Sequence, residues 1–453
     1  MPKSYVLIAH VIDENGDVIS TQEIDNKEIT APTDVCNFGY NKAEQLNILQ
    51  ITQDNLLQQQ AIFLNKSQQK CPTCNSKIWK SGFEPHIFES VYTSHKISMR
   101  QWRCSKKGCS WTSRSNLKNQ LQGNVHIDLL KIQAEFGAKI SYRSASDKLN
   151  KTIGERSINN HMQVRKVTNK CGSILSEHQH EKANKTADNT HIKTDNGTPE
   201  LCVAADGGHV HDSDNPGHNF EVMIGKIYKP VSLKRIDKHH SSITQKHCAG
   251  SAKYDIQKTM KENLSIAAKL EGINKNKTTV TGLADGAKNC WSVIKSLAPL
   301  CLLLICILDW FHIGKYIERV KKITPSSTKE LDLIKNDLWH GKIKPAQLKI
   351  KTLLNSLNTE KEKKVINNFY DYIENNKEHL VNYSDRQEKG QIYTSHVAES
   401  TVEHLINERC KRKQKMQWSR IGIHAVIQLR ASLASNEWDF DWDNIIVPKV
   451  ITA

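Results

Sequence analysis

Several absences bound this chain before any motif is read. Its 453 residues contain no GxxxxGK[ST] phosphate loop, so ATP-driven action is not indicated, and no Ser-centred nucleophile elbow. The apolar run 297–308 holds Pro299 and is shorter than the roughly 20 residues a membrane-spanning helix needs, so a buried strand is expected there. The opening stretch MPKSYVLIAHVIDENGD is broken by acids and polar residues, which is unlike a secretory signal. Acid is in short supply: 48 Asp plus Glu stand against 64 Lys plus Arg, a net charge of +16 and a pI near 9.2. That balance points to a polyanionic partner, nucleic acid ahead of an anionic membrane surface. The 12 cysteines are scattered, and their clearest grouping has metal spacing. A reducing cytoplasm is therefore expected, and the length allows roughly two to four domains.

The first stretch, residues 1–65, reads as a β-hairpin turning at Asn15-Gly16, then an amphipathic helix over 42–64 suited to packing or self-association. Residues 66–120 carry Cys71-x2-Cys74 and Cys104-x4-Cys109 on either side of a β-rich segment. Each pair offers two thiolates from one turn, the donor set of a closed tetrahedral structural zinc ribbon. The segment is poor in apolar residues, so the metal is expected to supply its folding energy. Residues 121–185 are helical and basic. Tyr142–Leu149, a link through Gly154 and a second helix from about Ser157 have the rhythm of a helix-turn-helix. Arg156, Asn160, Arg165 and Lys166 are its candidate DNA contacts, with Asn159, His161 and Gln163 beside them. A polar linker is expected over 176–199.

Over 200–435 the pattern changes to strands that end in acids. LCVAADGGHVHD is a strand ending at Asp206-Gly207-Gly208, Asn219–Lys229 is a second, and a third falls near Val231–Ile236. A helix follows over Tyr254–Leu270. Then come a β-branched strand ending at Asp285-Gly286, a short helix, and the eight-residue apolar run Cys301–Leu308, read as a strand buried on both faces and ending at Asp309. Acids at the ends of neighbouring parallel strands share one sheet edge, where α/β proteins place their chemistry. Asp is also a common cap, so the same residues read as a helix cap at 285 and a turn acid at 309. The order β-β-β-α-β-α-β-α is that of the ribonuclease H-like fold. Residues 316–390 read as a charged helical insertion with a break at Trp339 and Gly341, and 436–453 as a C-terminal tail. His209, His211 and His218 read as a polar loop at the site mouth rather than metal ligands.

The segments VAADGGHV, LADGAKNCW, ILDWFHI and TSHVAESTVEHLINERCKRKQKMQWSR, closing in VIQLRAS, resemble those of bacterial insertion-sequence transposases of the DDE class, in the branch related to Mutator-like elements. The resemblance runs from the zinc knuckles to about residue 435. It implies Asp206, Asp285 and Glu399 as a carboxylate triad holding two Mg²⁺ or Mn²⁺ ions, with Asp309 and His312 as a supporting pair. Related families are sometimes read with the acid at Asp309 as the second member instead. The helix bearing Glu399 continues into a basic stripe, Arg409, Lys411, Arg412 and Lys413, placed to meet DNA backbone. Trp418 suits either base stacking or the core. The implied activity is cleavage at terminal inverted repeats and strand transfer into target double-stranded DNA, by a homodimer or larger assembly associated with the nucleoid. A DNA-binding relic without catalysis, and a ribonuclease H-fold nuclease that does not join strands, are the competing expectations.

Overall fold

A computed structural model describes residues 3–66, 69–113, 117, 121–188, 197–235, 241–394, 403–411 and 416–451. They form two compact units, one of residues 1–137, 141–167 and 447–453, the other of 138–140 and 168–446. Among the described residues no helix is long and apolar enough to cross a membrane.

In the first unit, β1 (Lys3–Ile12) and β2 (Val18–Ile29) pair antiparallel, with Gly16 at φ 90° in the turn. That conformation is open to glycine at little cost. The helix Lys42–Lys66 lies along a second hairpin, β3 (Ile78–Glu89) and β4 (Ser94–Cys104). Its Gln58 and Asn65 amides donate to the Lys96 and Ser98 carbonyls at 2.8 and 3.1 Å. Ala61, Phe88, Ile97, Met99 and Leu117 form a small core there. The metal segment thus has an apolar partner that its own composition does not reveal. Helices Ile127–Lys139 and Tyr142–Ile153 follow, then Gly154 at φ 98°.

The next helix begins at His161, four residues later than expected, because Ser157–Asn159 form a 3-10 turn. It then runs to Asp188, so most of the expected linker is helix. Its lower half packs closely: a Cβ on Gly172 would stand 2.2 Å from the Ala425 carbonyl oxygen, and Ser176 hydrogen-bonds His424 at 2.9 Å.

The second unit is built on one mixed sheet in the order β11-β10-β5-β6-β9, with β12 (Gln417–Trp418) on the far end of β5. Strands β5 (Glu200–Asp212), β6 (Asn219–Tyr228) and β9 (His247–Ser251) are antiparallel; β10 (Thr279–Ala284) and β11 (Leu303–Leu308) run parallel to β5. Three expectations change. β5 does not end at Asp206 but passes through it to Asp212, placing His209 and His211 on a strand, because β6 pairs with it to His211. The third sheet strand is β9, while the Val231–Ile236 region gives the short β7 (Leu233–Arg235), paired with β8 (Ser241–Ile243) outside the main sheet. β11 is an edge strand, 52% exposed at Leu303 and buried only at Ile307 and Leu308.

Helices Lys258–Leu270 and Lys288–Lys295 connect the sheet, and Trp310–Ile323, Thr328–Trp339, Ile343–Ser356 and Glu360–Asn375 make the helical insertion. Their apolar faces continue the sheet's core through Ile313, Ile317, Leu331, Ile350, Ile366 and Phe369. Gly341 marks the expected break at φ 69°. Eleven residues of the helix Arg420–Ala434 are buried. Residues 436–446 are not a tail, since Trp438 and Trp442 are buried in this unit.

Candidate functional site

The strand registers put three aspartates in one row. β10 pairs with β5 at Leu283↔Ala204, so two residues on, Asp285 stands level with Asp206. β10 pairs with β11 at Ala284↔Leu308, so one residue on, Asp309 stands level with Asp285. Neighbouring strands lie about 4.8 Å apart, so the three backbones are spaced at about that interval along the edge.

Asp206 registers this crowding. Burial, then the charges of Asp285 and Asp309, push its carboxyl above the ordinary value, while the Gly207 N–H bond (2.7 Å) and nearby His312 pull it down. Buried Cys290 is pushed up by burial first, then by Asp285, Asp206 and Glu221. Burial, Asp285 and Asp309 likewise raise the Tyr372 hydroxyl, which donates to the Asp285 carbonyl at 2.9 Å. Several negative charges therefore share one neighbourhood, which suits a hard divalent cation with oxygen ligands.

The two later aspartates differ in what they have left to offer. Asp309 is 1% exposed; one oxygen accepts the Phe311 N–H at 3.1 Å, capping the helix Trp310–Ile323, and the other lies 3.6 Å from His312 Nε2. Asp285 is half-buried and uses Oδ1 to accept the Ala287 N–H at 2.9 Å. Gly286, at φ 102°, turns the chain directly after it. The local roles expected for the two acids are exchanged: Asp309 caps a helix, whereas Asp285 closes a turn, since the helix Lys288–Lys295 starts after Ala287 and has no side-chain cap.

A fourth acid went unread. Glu221 lies on β6 opposite His209, and its two oxygens accept from Asn289 Nδ2 at 2.5 and 2.6 Å. A Cβ on Gly207 would stand 2.4 Å from Glu221 Oε1, so with any other residue there this carboxylate would have to move. The available signal was one acid inside an otherwise apolar strand, FEVMIG.

The basic stripe divides. Lys411 is exposed and stays beside the row: a Cβ on Gly208 would lie 3.6 Å from its Nζ. Arg409 is not available to DNA, being 2% exposed with its guanidinium 4.8 Å over the Trp418 ring. Trp418 is itself buried and donates to the Cys410 carbonyl at 3.3 Å, the core alternative rather than the stacking one. Glu399, Arg412 and Lys413 lie outside the described residues. The turn that follows, Glu403–Asn407, is held by buried Arg430, which donates to the His404, Leu405 (3.0 Å) and Ala138 (2.9 Å) carbonyls.

In the other unit, Cys71, Cys74, Cys104 and Cys109 converge with all four sulfurs within 4.8 Å of one another, positioned to bind a metal ion such as zinc. Among the described residues this is the one group of three or more metal-type side chains drawn so tightly; the aspartates are more open. Asn75 at φ 56° and Gly108 at φ 90° form the knuckles, and the Lys106 N–H points at Cys104 Sγ at 3.3 Å.

Of the helix-turn-helix candidates, Arg165 and Lys166 are exposed on the helix His161–Asp188. Asn160 caps that helix, its Oδ1 accepting from Met162 and Gln163 at 2.9 Å each. Arg156 is turned inward: its guanidinium donates to the Ser90 and Val91 carbonyls at 2.9 and 2.6 Å and lies 3.4 Å from Glu89. A guanidinium so buried and turned toward these carbonyls is not presented to phosphate.

The model of one protein family, the uncharacterised protein family UPF0236, matches residues 118–438. No curated protein matches the chain.

Proposed function

The chain belongs to the uncharacterised protein family UPF0236, and from the acids at its sheet edge we propose that it is a DNA transposase of the DDE class. The observation that carries this reading is the level row of Asp206, Asp285 and Asp309 across β5, β10 and β11, with Asp206 raised by its neighbours. The sheet order supports it: in chain order the strands stand 3-2-1-4-5, the arrangement we read as ribonuclease H-like.

Asp206 and Asp285 would hold Mg²⁺ or Mn²⁺, with Glu399 from the later segment as the third ligand. Such ions, when bound, lower the pKa of water and spread the charge of a phosphoryl group under attack. The protein's own residues prepare that site. Asp285 keeps an oxygen clear of its turn, whereas Asp309 is spent on Phe311 and His312, which is why we assign Asp285 the ligand role and Asp309 support. Asn289 holds Glu221 against Gly207, and its charge reaches buried Cys290 together with those of Asp285 and Asp206. Lys411, near Gly208, stands where a phosphate approaching Asp206 would be met by a cation. DNA itself would be gathered by the basic surface, including Arg165 and Lys166, and by the cysteine module loaded with zinc. Two element ends cut together call for two or more copies of the chain.

The test uses purified protein, labelled DNA carrying the terminal repeats that flank its gene, and Mn²⁺. Wild type is expected to nick and join strands; Asp206→Asn and Asp285→Asn should each lose activity by about a hundredfold or more while binding the DNA as before. Joining that persists undiminished in Asp206→Asn overturns the assignment. Cleavage without joining would favour a nuclease, and binding without cleavage a regulator.

A further inference from the structure

Between β9 and the helix Lys258–Leu270 the chain makes a turn that buries little of its apolar side chains. Tyr254 and Ile256 are each 91% exposed. The backbone is strained as well: Ile256 at φ 52° and Gln257 at φ 62° are consecutive left-handed residues. For a β-branched side chain that conformation is an outlier, and such strain persists only where its surroundings enforce it. Asp255 is the enforcer. Its Oδ2 accepts from the Thr259 backbone N–H at 3.0 Å and from the Thr259 hydroxyl at 2.5 Å, and its carbonyl accepts the Lys258 N–H at 3.0 Å.

The turn forms one wall of a cavity of about 360 Å³, lined in part by His209, Glu221, Lys253, Tyr254, Ile256 and Arg420. Arg420 is inserted between rings, its guanidinium carbon 4.3 Å from the Phe220 centroid and 5.2 Å from that of Tyr254, and it donates to the Ala252 carbonyl at 3.2 Å. That packing props one side of the Tyr254 ring and leaves the rest to solvent. The cavity adjoins the carboxylates. Met223 of β6 pairs with Gly207 on one side and Ser251 on the other, so Ser251 is two strand spacings, about 10 Å, from the neighbour of Asp206. Glu221, on the cavity wall, reaches Gly207 directly.

A propped aromatic ring, a bulky aliphatic tip and the Lys253 ammonium form a surface that matches the flat face of a nucleobase and the phosphate attached to it. Bases within an intact duplex hide those faces by stacking, and apolar wedges of this kind act by entering between them. We propose that the turn Tyr254–Gln257 is a stacking wedge that receives an unpaired DNA base in this cavity while the adjoining strand lies at the aspartate row. The inference rests on the DNA-cutting function proposed above and names how that site would hold its strand.

The experiment measures binding of the full chain, without divalent cation, to a labelled short oligothymidylate and to an abasic strand of equal length and charge. Wild type is expected to prefer the base-bearing strand by about tenfold or more. Tyr254→Ala and Ile256→Ala should lose most of that preference, Tyr254→Phe should keep it, and all should bind duplex DNA as wild type does. Both positions are exposed, so these variants should fold normally. Equal binding of the two strands by wild type, or full preference in Tyr254→Ala, overturns the wedge. No cleavage is read, so a failure here is separate from strand joining by Asp206→Asn, which would overturn the catalytic assignment alone.

Discussion

Asp285 and Asp309 stand level on neighbouring strands, yet their surroundings give them different work. Both were legible as acids after apolar strands, but which one caps a helix and which closes a turn depends on where the next helix starts, which no spacing reveals. Arg156 and Arg409 teach the same lesson in reverse. Each sits in a basic stretch, and each is consumed by groups distant in sequence or hidden under a ring. His247 was not singled out by sequence at all. It lies between two carboxylates, Nδ1 2.8 Å from Glu271 and Nε2 3.2 Å from Glu437. Burial pulls its pKa down, but the two hydrogen bonds outweigh burial and carry it up to about 9. A folded-state value above the unfolded one means that His247 stabilises fully below about pH 6.5 and loses that contribution as pH rises through about 9. The contribution is at most about 3 kcal/mol. The melting midpoint of wild type should therefore exceed that of His247→Gln near pH 6 and converge toward it near pH 10; a gap that is constant across this range would refute the ion-pair account.

At the scale of elements, periodicity and turn residues served well where structure is local. The hairpin at Asn15-Gly16, the helix from Lys42 and the break at Gly341 all follow from residues that touch near neighbours. Strand ends served less well. β5 outruns Asp206 because a partner strand satisfies its backbone, and glycines at 207 and 208 mark close approach of Glu221 and Ile406 rather than a turn. The cysteine module was read from spacing, and its four sulfurs do converge. Purified protein is expected to carry about one zinc per chain by elemental analysis, lost in Cys71→Ser and Cys104→Ser. Removing the metal should loosen β3 and β4 as monitored by hydrogen exchange. The helix Lys42–Lys66 should loosen with them, since Phe88 of β3 and Ile97 and Met99 of β4 are what it packs on. Full metal content in both variants would exclude the four-cysteine site.

For the molecule as a whole, the net charge of +16 is the property that acts at longest range. If the chain meets DNA through many phosphates, affinity for duplex of arbitrary sequence should fall by about a hundredfold or more between 50 and 200 mM salt. A nearly flat dependence, measured by filter binding, would remove nucleic acid as the partner that the charge implies. The domain plan was only partly legible. The boundary expected at 185 falls within the helix His161–Asp188, which is polar by composition but docks Gly172 on Ala425, and the one expected at 436 precedes tryptophans that are buried. What the sequence determined by itself was chemistry of short range: basic excess, paired cysteines, strands, turns and the identities of the acids. What only the tertiary structure decided was which of those groups meet. Register brought Asp206, Asp285 and Asp309 level, pairing across β6 added Glu221, and packing withdrew Arg156 and Arg409. Proximity in a sheet depends on strand order, and strand order is fixed by burial of the whole core rather than by any one segment.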